Sequence, residues 1–145
     1  MSINEKIILL LDCFARSEAE AALAAFTEAG GDASRVIVAP ITEIVADQKT
    51  AEAVNAVIKG NWPGGTPRSG GRRSALIAGA DKPDAVALMR SFKSVLPGDA
   101  DPAFALVTQT GMDWRVEEYL DHIRKEHDYM KTVDPSKDAD MKEVK

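Results

Sequence analysis

The sequence predicts an α/β fold (α+β in its segregation of halves): two β-α-β-α halves forming one compact domain with about four core strands and four helices. Three observations lead there. Apolar runs of four or five residues, the mark of strands buried on both faces, alternate with segments that carry apolar residues at helical three-four spacing. The alternation occurs twice in the same order, on either side of a run rich in glycine, proline and arginine. The composition, 45% hydrophobic and 28% charged over 145 residues, is that of one folded domain with a sizeable core.

Ile7 to Leu11 is the first strand-like run. Ser17-Glu18-Ala19-Glu20 matches a capping box that opens a helix with Ala19, Ala22, Leu23 and Phe26 inward, and Gly30-Gly31 ends it. Val36 to Ala39 is the second strand, stopped by Pro40. A second helix runs from about Asp47, with Ala51, Val54, Val57 and Ile58 inward and Gly60 beyond its end. Ala75 to Ala78 is the third strand; Asp81, Lys82 and Pro83 then open a helix with the stripe Ala85, Leu88, Met89, Phe92 and Val95. After the Pro97-Gly98 stop, Ala103 to Val107 is the fourth strand, and Asp113 is placed to cap a last helix carrying Val116, Tyr119, Leu120, Ile123, His127 and Met130 on one face. Setting Phe26 on Phe92 places Leu23 on Met89, Ala19 on Ala85 and Arg16 on Lys82 at one constant spacing, a hint of an internal repeat. The domain is read as residues 1–132, with halves 1–60 and 74–132 joined by a linker at 60–73. Residues 133–145 alternate in charge around one proline and read as a disordered tail.

The net charge of −5 argues against a surface coated in phosphate-binding cations. Arg68, Arg72 and Arg73 are the only charges between Gly60 and Ser74, so this loop carries +3 and the remainder −8. It reads first as a mobile connector. Arg72 and Arg73 then either anchor on carboxylates of the acidic body or, with Arg68, meet an anionic ligand. The connector reading expects an exposed Trp62 and almost intact folding after all three arginines are replaced by Gln.

Much chemistry is excluded. A single cysteine, Cys13, permits no internal disulfide framework and no multi-cysteine zinc site. The apolar run at 7–11 is too short for a signal-peptide core or a membrane span, so the expectation is a soluble, cytoplasmic protein with no membrane contact. There is no P-loop and no dinucleotide fingerprint after a strand. His122 and His127 lie about 140° apart on a helix and cannot share one metal from one face. Cys13 has no histidine near it in sequence, and Glu18, Glu20, Glu117 and Glu118 sit where carboxylates complement a helix dipole. No catalytic set, cofactor or metal is expected.

The stretch Val107-Thr108-Gln109-Thr110-Gly111-Met112-Asp113-Trp114, running on to Glu126-His127, resembles an uncharacterised prokaryotic family of small α/β proteins. In that family a strand ends in a Thr-x-Thr-Asn-x-x-Trp-like turn, and the following helix closes with Glu-His. The resemblance covers about the last third of the chain and departs at Gln109, where proline is usual, and at Gly111, where asparagine is expected. It implies a fold and a cytoplasmic setting, and no activity. From the residues themselves, Gly111 is expected to take a positive φ and Trp114 to lie largely buried over the sheet end. The functional alternative is that Thr108, Thr110 and the first N–H groups of the last helix form a small anion pocket.

These readings converge on a non-catalytic binding or regulatory module for a small anion or protein partner. Its candidate residues are Arg68, Arg72, Arg73, Thr108, Thr110 and Trp114, and a homodimer is compatible with it. Two alternatives stand beside it. Nucleic-acid binding through the Arg/Gly loop, with Trp62 stacked on a base, is disfavoured by the acidic remainder. The other is a small enzyme using Cys13, His122 or His127.

Overall fold

A computed structural model describes residues 6–133. β1 (Ile7–Asp12) is buried along its whole length because it lies inside a four-stranded sheet of order β2-β1-β3-β4, with β2 at Val36–Pro40, β3 at Ser74–Ala78 and β4 at Ala103–Leu106. β1 pairs parallel with β2 and β3 parallel with β4, while β1 and β3 meet antiparallel at the centre. Both halves therefore share one sheet.

The continuous apolar runs are explained by helices on both faces. Ile7, Leu9, Leu11, Ala75 and Ile77 pack in one core layer with α1 (Arg16–Glu28) and α4 (Lys82–Val95), around Phe26, Leu88 and Phe92. Ile8, Leu10, Leu76 and Ala78 pack on the other side in a layer with α2 (Glu43–Ala46), α3 (Thr50–Lys59) and α5 (Val116–Val133). Alternation of side chains along each strand splits one apolar run between two cores.

The element boundaries differ from the sequence expectation in physical detail. α1 begins at Arg16, and Glu18 rather than Glu20 reaches back to accept from the Ala15 N–H at 2.9 Å. The segment after β2 forms two helices instead of one, because the Thr42 hydroxyl accepts from the Val45 N–H and starts α2 early. Ile58, expected inward, is 41% exposed. Asp113 belongs to a 3₁₀ turn at Thr110–Asp113 and does not cap α5, whose start is held by Glu118 accepting from the Arg115 N–H at 3.2 Å. α5 continues past Glu126-His127 to Val133, so the tail boundary at 133 falls inside a helix; the remainder of the expected tail, 134–145, lies outside the described residues.

The spacing seen between Phe26 and Phe92 recurs in the backbone: it also separates the starts of α1 and α4, Arg16 and Lys82, and those of α3 and α5, Thr50 and Val116. The starts of α3 and α5 also contact each other. Thr50 N–H donates to the Trp114 carbonyl at 2.8 Å, Val116 N–H donates to the Gln48 carbonyl at 2.8 Å, and Lys49 faces Arg115 in an isolated antiparallel bridge.

The same spacing bears on Cys13, which among the described residues is the non-glycine residue with a positive φ, 67°. Its counterpart is Gly79 at φ 83°, where an added Cβ would stand 2.5 Å from the Lys6 carbonyl oxygen. Each central strand leaves the sheet through a left-handed residue, so the strain at Cys13 arises from chain geometry and needs no ligand. Cys13→Gly should raise the unfolding free energy by about 1 kcal/mol, because relief of the left-handed penalty outweighs the added freedom of the unfolded chain. Urea denaturation measures this, and a clear loss of stability would show that the thiol packing matters more.

Candidate functional site

Asp12, the last residue of β1, is fully buried, and a buried carboxylate requires charged partners. Arg68 supplies a fork: Nε donates to one Asp12 oxygen and Nη2 to the other, both at 2.8 Å, while Nη1 donates to Glu117 at 2.6 Å. Arg124 of α5 also donates to Asp12 and, through Nε, to the Ser74 hydroxyl at 2.8 Å. The hydrogen bonds to Asp12 raise the Arg68 pKa above its ordinary value, so the guanidinium is firmly charged. Arg73 lies on Glu18 at 2.6 and 3.1 Å, and Arg72 on Asp128 at 2.8 and 3.0 Å and on the Asp101 carbonyl at 3.0 Å.

All three loop arginines are thus directed inward onto carboxylates. The loop path is further fixed by Arg68 N–H donating to the Ile41 carbonyl at 3.0 Å and by Trp62, which packs against the α3/α5 core. Trp62 was expected to be exposed and is half-buried, with its indole nitrogen out of solvent and unpartnered among the described residues. The expectation that three Arg→Gln changes leave folding intact is also revised. Arg72→Gln and Arg73→Gln should each cost no more than about 1 kcal/mol as partly exposed pairs. Arg68→Gln should cost several times more, because it removes two of the charged hydrogen bonds to the buried Asp12 and leaves it with Arg124 alone. Single-variant urea curves test the ordering.

Acid should weaken these clasps. The hydrogen bond from Arg73 holds the Glu18 carboxyl below its usual range. Burial pushes Asp101 upward, but Lys131 and His127, each 2.9 Å away, outweigh it and leave Asp101 lowered. A depressed folded pKa gives stability that is present above the unfolded value and is lost as pH falls through the folded one. Stability should therefore decline as pH drops below about 4.5. Arg73→Gln should flatten that slope; an unchanged slope would remove Glu18 as a contributor.

The other candidates separate. Burial, then the neighbouring Asp12, pushes the Cys13 thiol up, the opposite of an activated nucleophile. His127 is buried against Asp101, and His122 lies edge-on to Trp114 with ring centres 4.9 Å apart. Among the described residues no group of three or more His, Cys, Asp or Glu is placed to hold a metal.

At the far end of the sheet, Gly111 does not take the expected positive φ. It is required for a different reason: a Cβ there would lie 2.3 Å from the Tyr119 ring. The Tyr119 hydroxyl accepts from the Thr108 N–H at 3.2 Å, and the Thr108 hydroxyl accepts from the Gly111 N–H at 3.1 Å. Thr108 is thereby used inside the turn, and Thr110 is exposed. Trp114 is half-buried instead of largely buried and packs edge-on to Tyr119 at 5.4 Å. Between this aromatic cluster and β4 runs a groove of about 350 Å³, lined by Val107, Thr108, Trp114, Tyr119, His122 and Glu126.

β4 itself is the outer strand on that side. Ala103 N–H donates to the Arg73 carbonyl at 3.0 Å and Val107 N–H to the Ile77 carbonyl at 2.8 Å, so residues 103, 105 and 107 face β3. By alternation the N–H and C=O of Phe104 and Leu106 point outward, and no described strand pairs with them. The opposite edge differs. On β2 the Val36 N–H is turned back to the Ala33 carbonyl and Pro40 has none, which leaves Val38 as the outward donor. Sequence reasoning missed Asp12, Glu117, Arg124 and the β4 edge; an aspartate closing an apolar run was the signal for the first.

Residues 73–130 match a family model described as a domain of unknown function (DUF3783), consistent with the uncharacterised family that the Thr108–Trp114 turn resembles. The match begins just before β3, covers α4 and β4, and ends within α5. No curated protein and no solved structure matches the chain. Among the described residues no helix is long and apolar enough to cross a membrane.

Proposed function

We propose that this chain is a non-catalytic protein-binding module whose contact surface is the open edge of β4 with the Trp114–Tyr119–His122 groove beside it. The observation that carries the reading is the outward backbone of Phe104 and Leu106: two N–H donors and two C=O acceptors free among the described residues, on a strand without proline or charge. Such an edge is a template for strand addition unless it is covered. A small anion is the weaker ligand class, since Arg68, Arg72 and Arg73 are matched by Asp12, Glu117, Asp128 and Glu18. The same pairing counts against nucleic acid, and the raised Cys13 thiol counts against an enzyme built on that residue. The internal repeat belongs to this reading: two copies of one β-α-β-α unit would differ at their outer edges, one blunted and one open.

Photo-crosslinking in cells tests the proposal. A photoreactive residue placed at His122, on the groove rim, is expected to give a discrete protein adduct, while one at Lys59, exposed on α3, gives none. Absence of an adduct from the rim would overturn the reading.

A further inference from the structure

We infer that the occupant of the β4 edge is a second copy of this chain, docked antiparallel about a two-fold axis at Ala105. The inference rests on the reading of β4 as a contact surface and names its partner. An antiparallel copy centred on Ala105 places Phe104 opposite Leu106 of the copy, and the reverse, as two hydrogen-bonded pairs. Phe104 N–H then meets the copy's Leu106 carbonyl, and Leu106 N–H the copy's Phe104 carbonyl. All four outward donors and all four outward acceptors are satisfied with none left over.

The side chains suit the same axis. Residues on the axis form a non-hydrogen-bonded pair, in which side chains approach most closely, and the residue there is the small Ala105. α5 runs antiparallel to its copy across the axis, and the polar residues His122 and Glu126 both line the groove beside β4. The interface is self-complementary, as a two-fold contact must be. Tyr129, 64% exposed one turn beyond Glu126 on α5, extends the contact area. The competing occupant within the chain is the segment 134–145, which follows α5 in the sequence. Its aspartates, lysines and proline are poor strand formers, which favours the second copy.

The halves themselves suggest the test. Leu106 corresponds to Pro40 of β2 at the same spacing that relates Arg16 to Lys82, so Leu106→Pro installs a residue the fold already carries at the equivalent place. It removes an outward N–H that the β3 ladder does not use. In sedimentation velocity at micromolar concentration the full chain is expected at twice its 15.6 kDa mass, and Leu106→Pro and Ala105→Arg at the monomer mass, with unchanged far-ultraviolet circular dichroism. In a Cys13→Ser background, Ala105→Cys should oxidise to a covalent dimer. A dimer that persists in both edge variants and does not crosslink through position 105 would overturn the inference. So would a monomeric full chain, and hydrogen exchange then separates the two proposals. Fast exchange at the Phe104 and Leu106 amides, with a foreign adduct from His122, leaves the contact surface standing without the dimer. Slow exchange in the monomer means the chain covers its own edge, and both fall.

Discussion

Asp12→Ala is expected to lower the unfolding free energy by roughly 3–5 kcal/mol, the largest effect of any single polar change in this protein. The carboxylate is fully buried and receives Arg68 and Arg124, so its removal leaves two guanidinium groups that share only the half-exposed Glu117. The loss should extend along the chain. Arg68 fixes the 60–73 segment to the carboxyl end of β1, and without Asp12 it retains only Glu117, half-exposed, and the more distant Glu43. Amide exchange near Arg68 should therefore accelerate more than the global loss of stability accounts for. Replacing Arg68 and Arg124 by Met in the same background should recover part of the loss by removing the stranded charges. A change below about 1 kcal/mol in urea denaturation would mean the cluster is solvated and carries little energy.

Gly111→Ala is expected to cost about 1–3 kcal/mol by overpacking, and about 1 kcal/mol more where the displaced Tyr119 ring gives up its bond to the Thr108 N–H. The added methyl would meet the ring at 2.3 Å. Tyr119 is buried and wedged against Trp114, so the ring can move only by dislodging the indole that lines the β4 groove. Near-ultraviolet circular dichroism, which reports the packing of this aromatic pair, should change together with stability. A stability loss with an unaltered aromatic signal would place the strain in the backbone instead.

The order of strands and helices, the two-faced burial of the sheet and the stripes Ala85–Leu88–Met89–Phe92 and Val116–Tyr119–Leu120–Ile123 were legible because they depend on hydrophobic periodicity, a property of neighbours in sequence. The spacing that relates α1 to α4 was legible for the same reason. Cap positions were less so. At α1 the box is closed from Glu18, two residues ahead of the Ser/Glu pattern at Ser17 and Glu20, because the geometry of the β1-to-α1 connection selects which carboxylate reaches the free N–H.

The arginine loop shows the limit more clearly. Composition gave three cations among glycines; it could not say that each would find a carboxylate 49 to 56 positions away, at Asp12, Glu117, Glu18 and Asp128. Long-range ion pairing leaves no periodic trace. The β4 edge was hidden in the same way, because the sequence marks a strand by its side chains and says nothing of which strand is outermost. The chain by itself thus determined the α/β class, the alternation of strands and helices and the burial of the strands on both faces, through local periodicity and the burial of apolar runs. Only the tertiary structure decided that the central strands meet antiparallel, that Asp12 gathers Arg68 and Arg124, and that Pro40 blunts one edge while β4, among the described residues, has no strand on its outer side, because each depends on which distant segments the sheet brings side by side.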